Sequence, residues 1–299
     1  MLMCVVESAG SSPGRRGFKM AVTSDDMCGS IGGGVMEHKF VEMAKDRLLK
    51  ENPPVVKKQF HRKTEAQNQS GMICSGEQTV LMLNLSENSI SVIRELISAL
   101  EENKNGRLRM TGSGLSFIPG IDNAEIQFSM TSSTQFVYDE PVGYRQHLYI
   151  IGGGHCALAL SKLVHSLDFY IHLFEERKDL NTVLENNFAH EKKIVGDYSE
   201  LHNLIPEGEN NYVAVMTFGY RTDDATVRAL AGKKFRYVGV LGSESKMEQL
   251  FSEWRADKLP SQWLDKICSP IGLQIKSETP EEIAVSIAAQ IIQVKNRTK

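Results

Sequence analysis

The stretch Leu148–Glu176, LYIIGGGHCALALSKLVHSLDFYIHLFEE, constrains the fold more than any other part of this 299-residue chain. It opens on the apolar run Leu148-Tyr149-Ile150-Ile151, bounded by glycine and too short for a helix, which predicts a buried strand. Gly152-Gly153-Gly154-His155-Cys156-Ala157 then fits the pattern G-x-G-x-x-(G/A). Leu160, Leu163, Val164 and Leu167 recur at helical spacing. A second strand-like run, Tyr170–Phe174, ends on Glu175 and Glu176, roughly 20 residues after the glycines, as a dinucleotide-binding βαβ unit requires.

Each part of that unit has a physical task. Gly152 permits a tight turn, Gly154 lets backbone N–H groups approach a phosphate, and Ala157 lets the helix lie close to its strand. The helix start offers unpaired N–H donors and a partial positive charge to an anion. Glu175 is placed to accept hydrogen bonds from a ribose diol or another donor edge, and His155 to donate one to a ligand or merely cap the turn. The competing reading is an ordinary βαβ unit with a glycine-rich turn and no ligand.

At this length two domains are the default. Hydrophobic residues make up 41% and charged residues 24% of the chain, as in an ordinary globular protein. A net charge of −3 argues against nucleic acid or an anionic membrane as the main partner. No apolar run approaches a membrane span, and no basic region precedes the short apolar Met1–Val6, so no signal peptide is expected. The five cysteines are odd in number, scattered and without a C-x-x-C pair, which is cytoplasmic thiol usage.

In chain order, residues 1–130 read as an α+β domain, 131–146 as a linker containing Pro141 and Gly143, and 147–299 as a Rossmann-type domain. The fold class expected is thus α/β: a C-terminal doubly wound parallel sheet preceded by an N-terminal α+β domain. A strand over Met3–Glu7 begins almost at the first residue, which reads as a shortened start. A strand over Lys19–Val22 leads to Gly29-Ser30-Ile31-Gly32-Gly33-Gly34 and a helix with Met36, Phe40, Met43, Ala44 and Leu48 on one face. Further strands are expected over Val55–Phe60, Gln78–Leu85, Arg107–Met110, Leu115–Ile118 and Ala124–Met130, with a helix capped by Ser89. Beyond the central unit, strands at Lys192–Val195, Asn211–Phe218 and Phe235–Leu241 alternate with helices. Thr279 and Glu282 form a capping box around Pro280 for the last helix.

Three further features bear on binding. Ser30, Gly32, Gly33 and Gly34 before a helix form a second possible anion cradle; the alternative is a turn where glycine permits close backbone contact. Cys74 lies in a glycine-flanked loop where a thiolate would hold a soft metal or a sulfur-bearing ligand, although packing is the commoner role of a lone cysteine. Gly242 and Ser243, with Lys246, repeat the strand-to-helix phosphate geometry less specifically. No Ser-His-Asp arrangement, H-E-x-x-H or closely spaced carboxylate pair demands a catalytic reading.

Taken in order, these motifs resemble the XdhC/CoxI family of accessory proteins for xanthine dehydrogenase and carbon monoxide dehydrogenase maturation. The resemblance rests on Gly10-Ser11-Ser12-Pro13, Gly17-Phe18-Lys19-Met20, Gly29–Gly34 with Glu37, Cys74-Ser75-Gly76, Gly152–His155 and Glu175-Glu176-Arg177. Tyr237–Ser243, Ser269–Leu273 and Thr279–Ala284 complete it. It implies binding of molybdenum cofactor (molybdopterin), its transfer to an apo molybdenum hydroxylase of the xanthine dehydrogenase type, and a cytoplasmic homodimer. Gly152, Gly154, His155 and Glu175 would form one wall of the site, and Ser30–Gly34 with Cys74 the other. Family members commonly carry cysteine after the first GGG, where this chain has Val35, and T-H-x-H where it has Thr217-Phe218-Gly219-Tyr220. The main alternative is an NAD(P)-dependent oxidoreductase using the same βαβ unit, with Glu175 favouring NAD. A third is a structural partner protein whose Rossmann domain binds nothing.

Overall fold

The computed structural model describes residues 1–49, 53–60, 76–120, 125–132 and 134–297. They form two compact units, Met1–Gly143 and Tyr144–Lys299.

The first unit contains β1 (Leu2–Gly10), β2 (Lys19–Val22), β3 (Met27–Gly29), α1 (Gly34–Leu48), β4 (Val55–Phe60) and β5 (Gly76–Leu83). It continues with α2 (Asn88–Glu101), β6 (Gly106–Thr111), β7 (Gly114–Pro119), β8 (Gln127–Ser132) and β9 (Gln135–Val142). Two antiparallel sheets result, ordered β3-β2-β1-β5-β4 and β7-β6-β9-β8. Strand alternation sorts β1 between two cores. Met3 and Val5 join Met36, Phe40 and Ala44 of α1. Cys4 and Val6 join Leu108, Met110, Phe136 and Tyr138 of the second sheet. An ion pair ties the sheets: Lys19 Nζ lies 2.5 Å from Glu140 Oε1, whose other oxygen accepts from Tyr138 Oη at 2.6 Å.

The expected linker over 131–146 is corrected here. β9 lies between β6 and β8, and its Asp139 is buried and accepts two bonds from Arg109 at 2.7 and 2.8 Å. Pro141 suggested a linker, but it falls near the end of β9, where a missing N–H is tolerated. The break between units follows Gly143.

The second unit runs β10 (Gln146–Ile151), α3 (His155–Val164), β11 (Phe169–Glu175), α4 (Asn181–Leu184), β12 (Glu191–Ile194) and α5 (Leu201–Leu204). Then come β13 (Gly208–Val215), α6 (Tyr220–Leu230), β14 (Phe235–Val240), α7 (Glu244–Ala256), α8 (Ser261–Leu264), β15 (Ile267–Cys268) and α9 (Pro280–Asn296). The six strands are parallel, in the order β12-β11-β10-β13-β14-β15. β10 is apolar at successive positions because both its faces are covered. Leu148 and Ile150 meet α3 and α9 through Leu160, Val164, Ile287 and Ile291. Tyr149 and Ile151 meet the layer carrying Leu201, Val227 and Leu250. The capping box of α9 is present: Thr279 Oγ1 accepts from the Glu282 amide, and Glu282 Oε2 from the Thr279 amide, both at 3.2 Å. The chain winds outward from β10 to β12, then returns to place β13 on β10's other side. The strand order therefore reverses at β10/β13, the place where sheets of this kind bind ligands at the carboxyl ends of their strands.

On the Tyr149 face, His147 Nδ1 lies 3.1 Å from His172 Nε2, and His172 Nδ1 lies 2.9 Å from Glu191 Oε2. Burial, with His172 beside it, lowers the pKa of His147 from its ordinary 6.5 to about 4. Folding thus favours the neutral ring, so this stabilisation is complete above pH 6.5 and is lost as pH falls toward 4. Melting temperature is therefore expected to drop between pH 6.5 and 4. His147→Phe, which removes the titrating ring, is expected to flatten that drop; an unchanged pH profile in the variant would contradict the assignment.

Candidate functional site

The glycine turn after β10 sits at the point of strand-order reversal, and its three glycines differ in what they meet. Gly152 has φ +99°, and a Cβ there would lie 2.4 Å from the Met216 carbonyl oxygen and 2.8 Å from Thr217 Cα. A Cβ on Gly153 would lie 2.2 Å from Val183 Cγ2. Both residues must be glycine because the protein's own atoms approach them. Gly154 is different: its φ is −69°, and a Cβ there would meet nothing within 4 Å. As the residue preceding α3 it supplies no side-chain cap to the helix. The start of α3 therefore presents backbone donors beside open space, with His155 exposed at its first position.

Glu175 does not face that space. Its side chain is 1% exposed, and both oxygens are engaged by the protein. Oε2 accepts from the Gly153 amide at 2.7 Å and from Arg177 Nη2 at 2.8 Å. Oε1 accepts from the Glu176 amide at 2.9 Å, the Arg177 amide at 3.0 Å and Arg177 Nε at 2.9 Å. Burial alone would raise its pKa, but the Arg177 guanidinium and these amide donors hold it at about 2. The expectation that Glu175 reads a donor edge of a ligand is corrected: it ties the glycine turn to the end of β11.

Arg177 in turn stacks on Phe218, its guanidinium carbon 4.7 Å from the ring centroid. Phe218 follows β13 and is 65% exposed. Its neighbour Thr217 donates through Oγ1 to Asp223 Oδ1 at 2.5 Å. Asp223 is fully buried and also pairs with Lys246, which donates to the Leu241 carbonyl at 3.1 Å. Burial raises the Asp223 pKa even against these partners. The loops after β13 and β14 are thus fastened to each other.

The chain itself engages parts of the other expected cradles. In the first unit, Glu37 Oε2 accepts from Ser30 Oγ at 2.7 Å and from the amides of Ile31 at 2.8 Å and Gly33 at 3.0 Å. Burial would raise the Glu37 pKa, but these donors lower it. The Gly32 amide donates to Ser30 Oγ at 3.0 Å, and a Cβ on Gly32 would lie 2.4 Å from the Gly14 nitrogen. Gly34 is already the first residue of α1. A carboxylate thus meets the Ser30 hydroxyl and the Ile31 and Gly33 amides there, while a Cβ on Gly33, the residue before α1, would meet nothing within 4 Å and no side chain caps α1 at that residue. After β14, Ser243 caps α7 by accepting from the Lys246 amide, and a Cβ on Gly242 would lie 2.9 Å from Lys246 Cε; this pair is likewise engaged in the fold. Cys74 lies outside the described residues. Among the described residues no cluster of His, Cys, Asp and Glu is placed to hold a metal, and no helix is long and apolar enough to cross a membrane.

Sequence reasoning missed two contributors to the turn. Thr182 donates to the Gly153 carbonyl and Val183 packs against Gly153; a four-residue helix leaves no periodic signal to find them by. Arg177 stands in a recognised motif, but its bond to Glu175 is a tertiary fact. The contrast among the glycines is directly measurable. Gly152→Ala is expected to lose about 2 kcal/mol or more of stability, from left-handed strain plus the backbone clash. Gly154→Ala is expected to stay within about 0.5 kcal/mol of the native protein in urea unfolding; equal losses would contradict the geometry.

Comparison with known proteins agrees with this architecture. The family model described as the XdhC Rossmann domain matches residues 148–291, and that of the XdhC and CoxI family matches residues 1–57. YqeB of Escherichia coli is 24% identical over 297 residues, covering 98% of this chain and 43% of that protein. A probable xanthine dehydrogenase subunit of Bacillus subtilis is 39% identical over 83 residues, 28% of this chain and 23% of that protein. The chain spans less than half the length of these curated relatives. The crystal structure of a xanthine dehydrogenase from Bacillus halodurans shares the fold, with a TM-score of 0.76 at 22% identity, covering 100% of this chain and 92% of that one. With both parts of the family matched in their order along the sequence, this chain belongs to the XdhC and CoxI family.

Proposed function

We propose that this protein binds molybdenum cofactor as cargo and serves the maturation of a xanthine dehydrogenase-type molybdenum hydroxylase. The observation that carries the reading is the start of α3, uncapped by a side chain and open at Gly154, at the reversal of strand order. A pyranopterin phosphate suits such a helix start. The residues present fit the phosphate end and the flat ring system better than the metal end. Cys156, in the first turn of α3, has its thiol pKa raised by burial and by Glu281, so it stays protonated and is a poor ligand for a soft metal. Holding the cofactor by its organic part leaves the metal free for the recipient enzyme, where its redox chemistry is needed. The xanthine dehydrogenase names among the relatives support the choice of recipient.

An NAD-dependent oxidoreductase of this fold uses an acidic side chain for the ribose diol, and Glu175 is turned inward. Titration with NADH separates the readings: saturable binding with a nicotinamide fluorescence change would favour the dehydrogenase. Sedimentation of the purified protein tests the homodimer proposed from the family.

Gly154→Asp provides a test in which folding and binding move apart. A carboxylate at this position can cap α3 as Glu37 caps the glycine turn before α1, so melting temperature is expected to hold or rise slightly. The same carboxylate repels a phosphate. Protein purified from cells that make the cofactor is expected to yield fluorescent oxidised pterin, and the variant at least tenfold less. Native protein that carries no pterin and takes up none would defeat the proposal.

A further inference from the structure

We propose that Phe218 is the stacking platform for the ligand's ring, so that this unit selects a flat, conjugated, uncharged or electron-rich heterocycle bearing a phosphate. This rests on the ligand site at α3 proposed above. Phe218 is a large apolar side chain left 65% exposed, and it belongs to the loop that closes on the glycine turn, since Gly152 abuts Thr217 Cα. It is also not free to move. Arg177 covers one face of the ring at 4.7 Å and is itself held by two bonds to the buried Glu175. Glu175 holds the Gly153 amide. A closed circuit therefore runs from the glycine turn through Glu175, Arg177 and Phe218 to Thr217 and back to Gly152. The base of the loop is fixed by the Thr217–Asp223 bond.

An aromatic ring whose orientation is set on one face and whose body is open to solvent is prepared to stack on a second ring. The cation behind it draws π-electron density toward Arg177, leaving the open face less attractive to a positive charge. An oxidised nicotinamide, which is cationic, is therefore a poorer guest than a neutral pterin. Aliphatic or sugar groups gain only contact area, without the geometric preference of two π systems.

The probe is molybdenum cofactor released from a molybdenum hydroxylase, titrated into the full chain and followed by quenching of protein fluorescence and by bound pterin. Phe218→Ala and Phe218→Leu are expected to weaken binding about tenfold or more, as loss of a stacked ring does elsewhere. Phe218→Trp is expected to retain native affinity. All three variants should melt with the native protein, because the ring is exposed. Inhibition by inorganic pyrophosphate, which has no ring, should be equally strong in native and variant proteins. Native affinity in Phe218→Leu, with Gly154→Asp still defective, would overturn the stacking role and leave the phosphate site standing. No binding by the native protein would overturn both.

Discussion

A carboxylate almost sealed from solvent, that of Glu175, joins the glycine turn to the carboxyl end of the neighbouring strand. An ionised group in that position is tolerated only because it is matched by the Arg177 guanidinium and by amide donors on both sides. Removing it would leave the Gly153 amide and the guanidinium without their acceptor. The contact links the glycine turn to Arg177, and through Arg177 to the ring of Phe218.

The two units handle glycine-rich turns in opposite ways. Before α1, Glu37 from the helix's own first turn reaches back to the Ser30 hydroxyl and the Ile31 and Gly33 amides. Before α3, a carboxylate from a different strand engages only the Gly153 amide and leaves the helix start beyond it uncapped. One turn carries a carboxylate from its own helix, and the other does not. The difference lies in a single position: Glu37 lies three residues past the first residue of α1, and the corresponding position in α3 is Leu158. Leucine has no group that accepts a hydrogen bond, and among the described residues no side chain caps α3 at Gly154.

The parallel sheet was legible from the run of apolar residues in β10, the alternation of strands with helices and the capping box of α9, because those signals are local and additive. The end of the first unit was not. Pro141 and Gly143 read as a linker, but β9 is held by its neighbours β6 and β8, which no short window of sequence contains. The glycine motif showed where the chain turns but not who fills it. Glu175 has the spacing of a ribose-binding acid, yet Arg177 two residues later pulls it inward. Ser30–Gly34 has the composition of an anion cradle, yet Glu37 is close enough to occupy it. Nor did the sequence around Phe218 show that the fold would hold its ring against Arg177 and leave it 65% exposed.

In the proposed reading, selection of cargo divides between backbone and side chain: amides at the start of α3 for the negative end, and a braced aromatic ring for the flat end. A crystal structure of the protein loaded with released molybdenum cofactor examines this division most directly. The phosphate should lie within hydrogen-bonding distance of the amides that follow Gly153, with the pterin ring against the open face of Phe218. Cofactor seated elsewhere, with the α3 start and Phe218 both facing solvent, would contradict it.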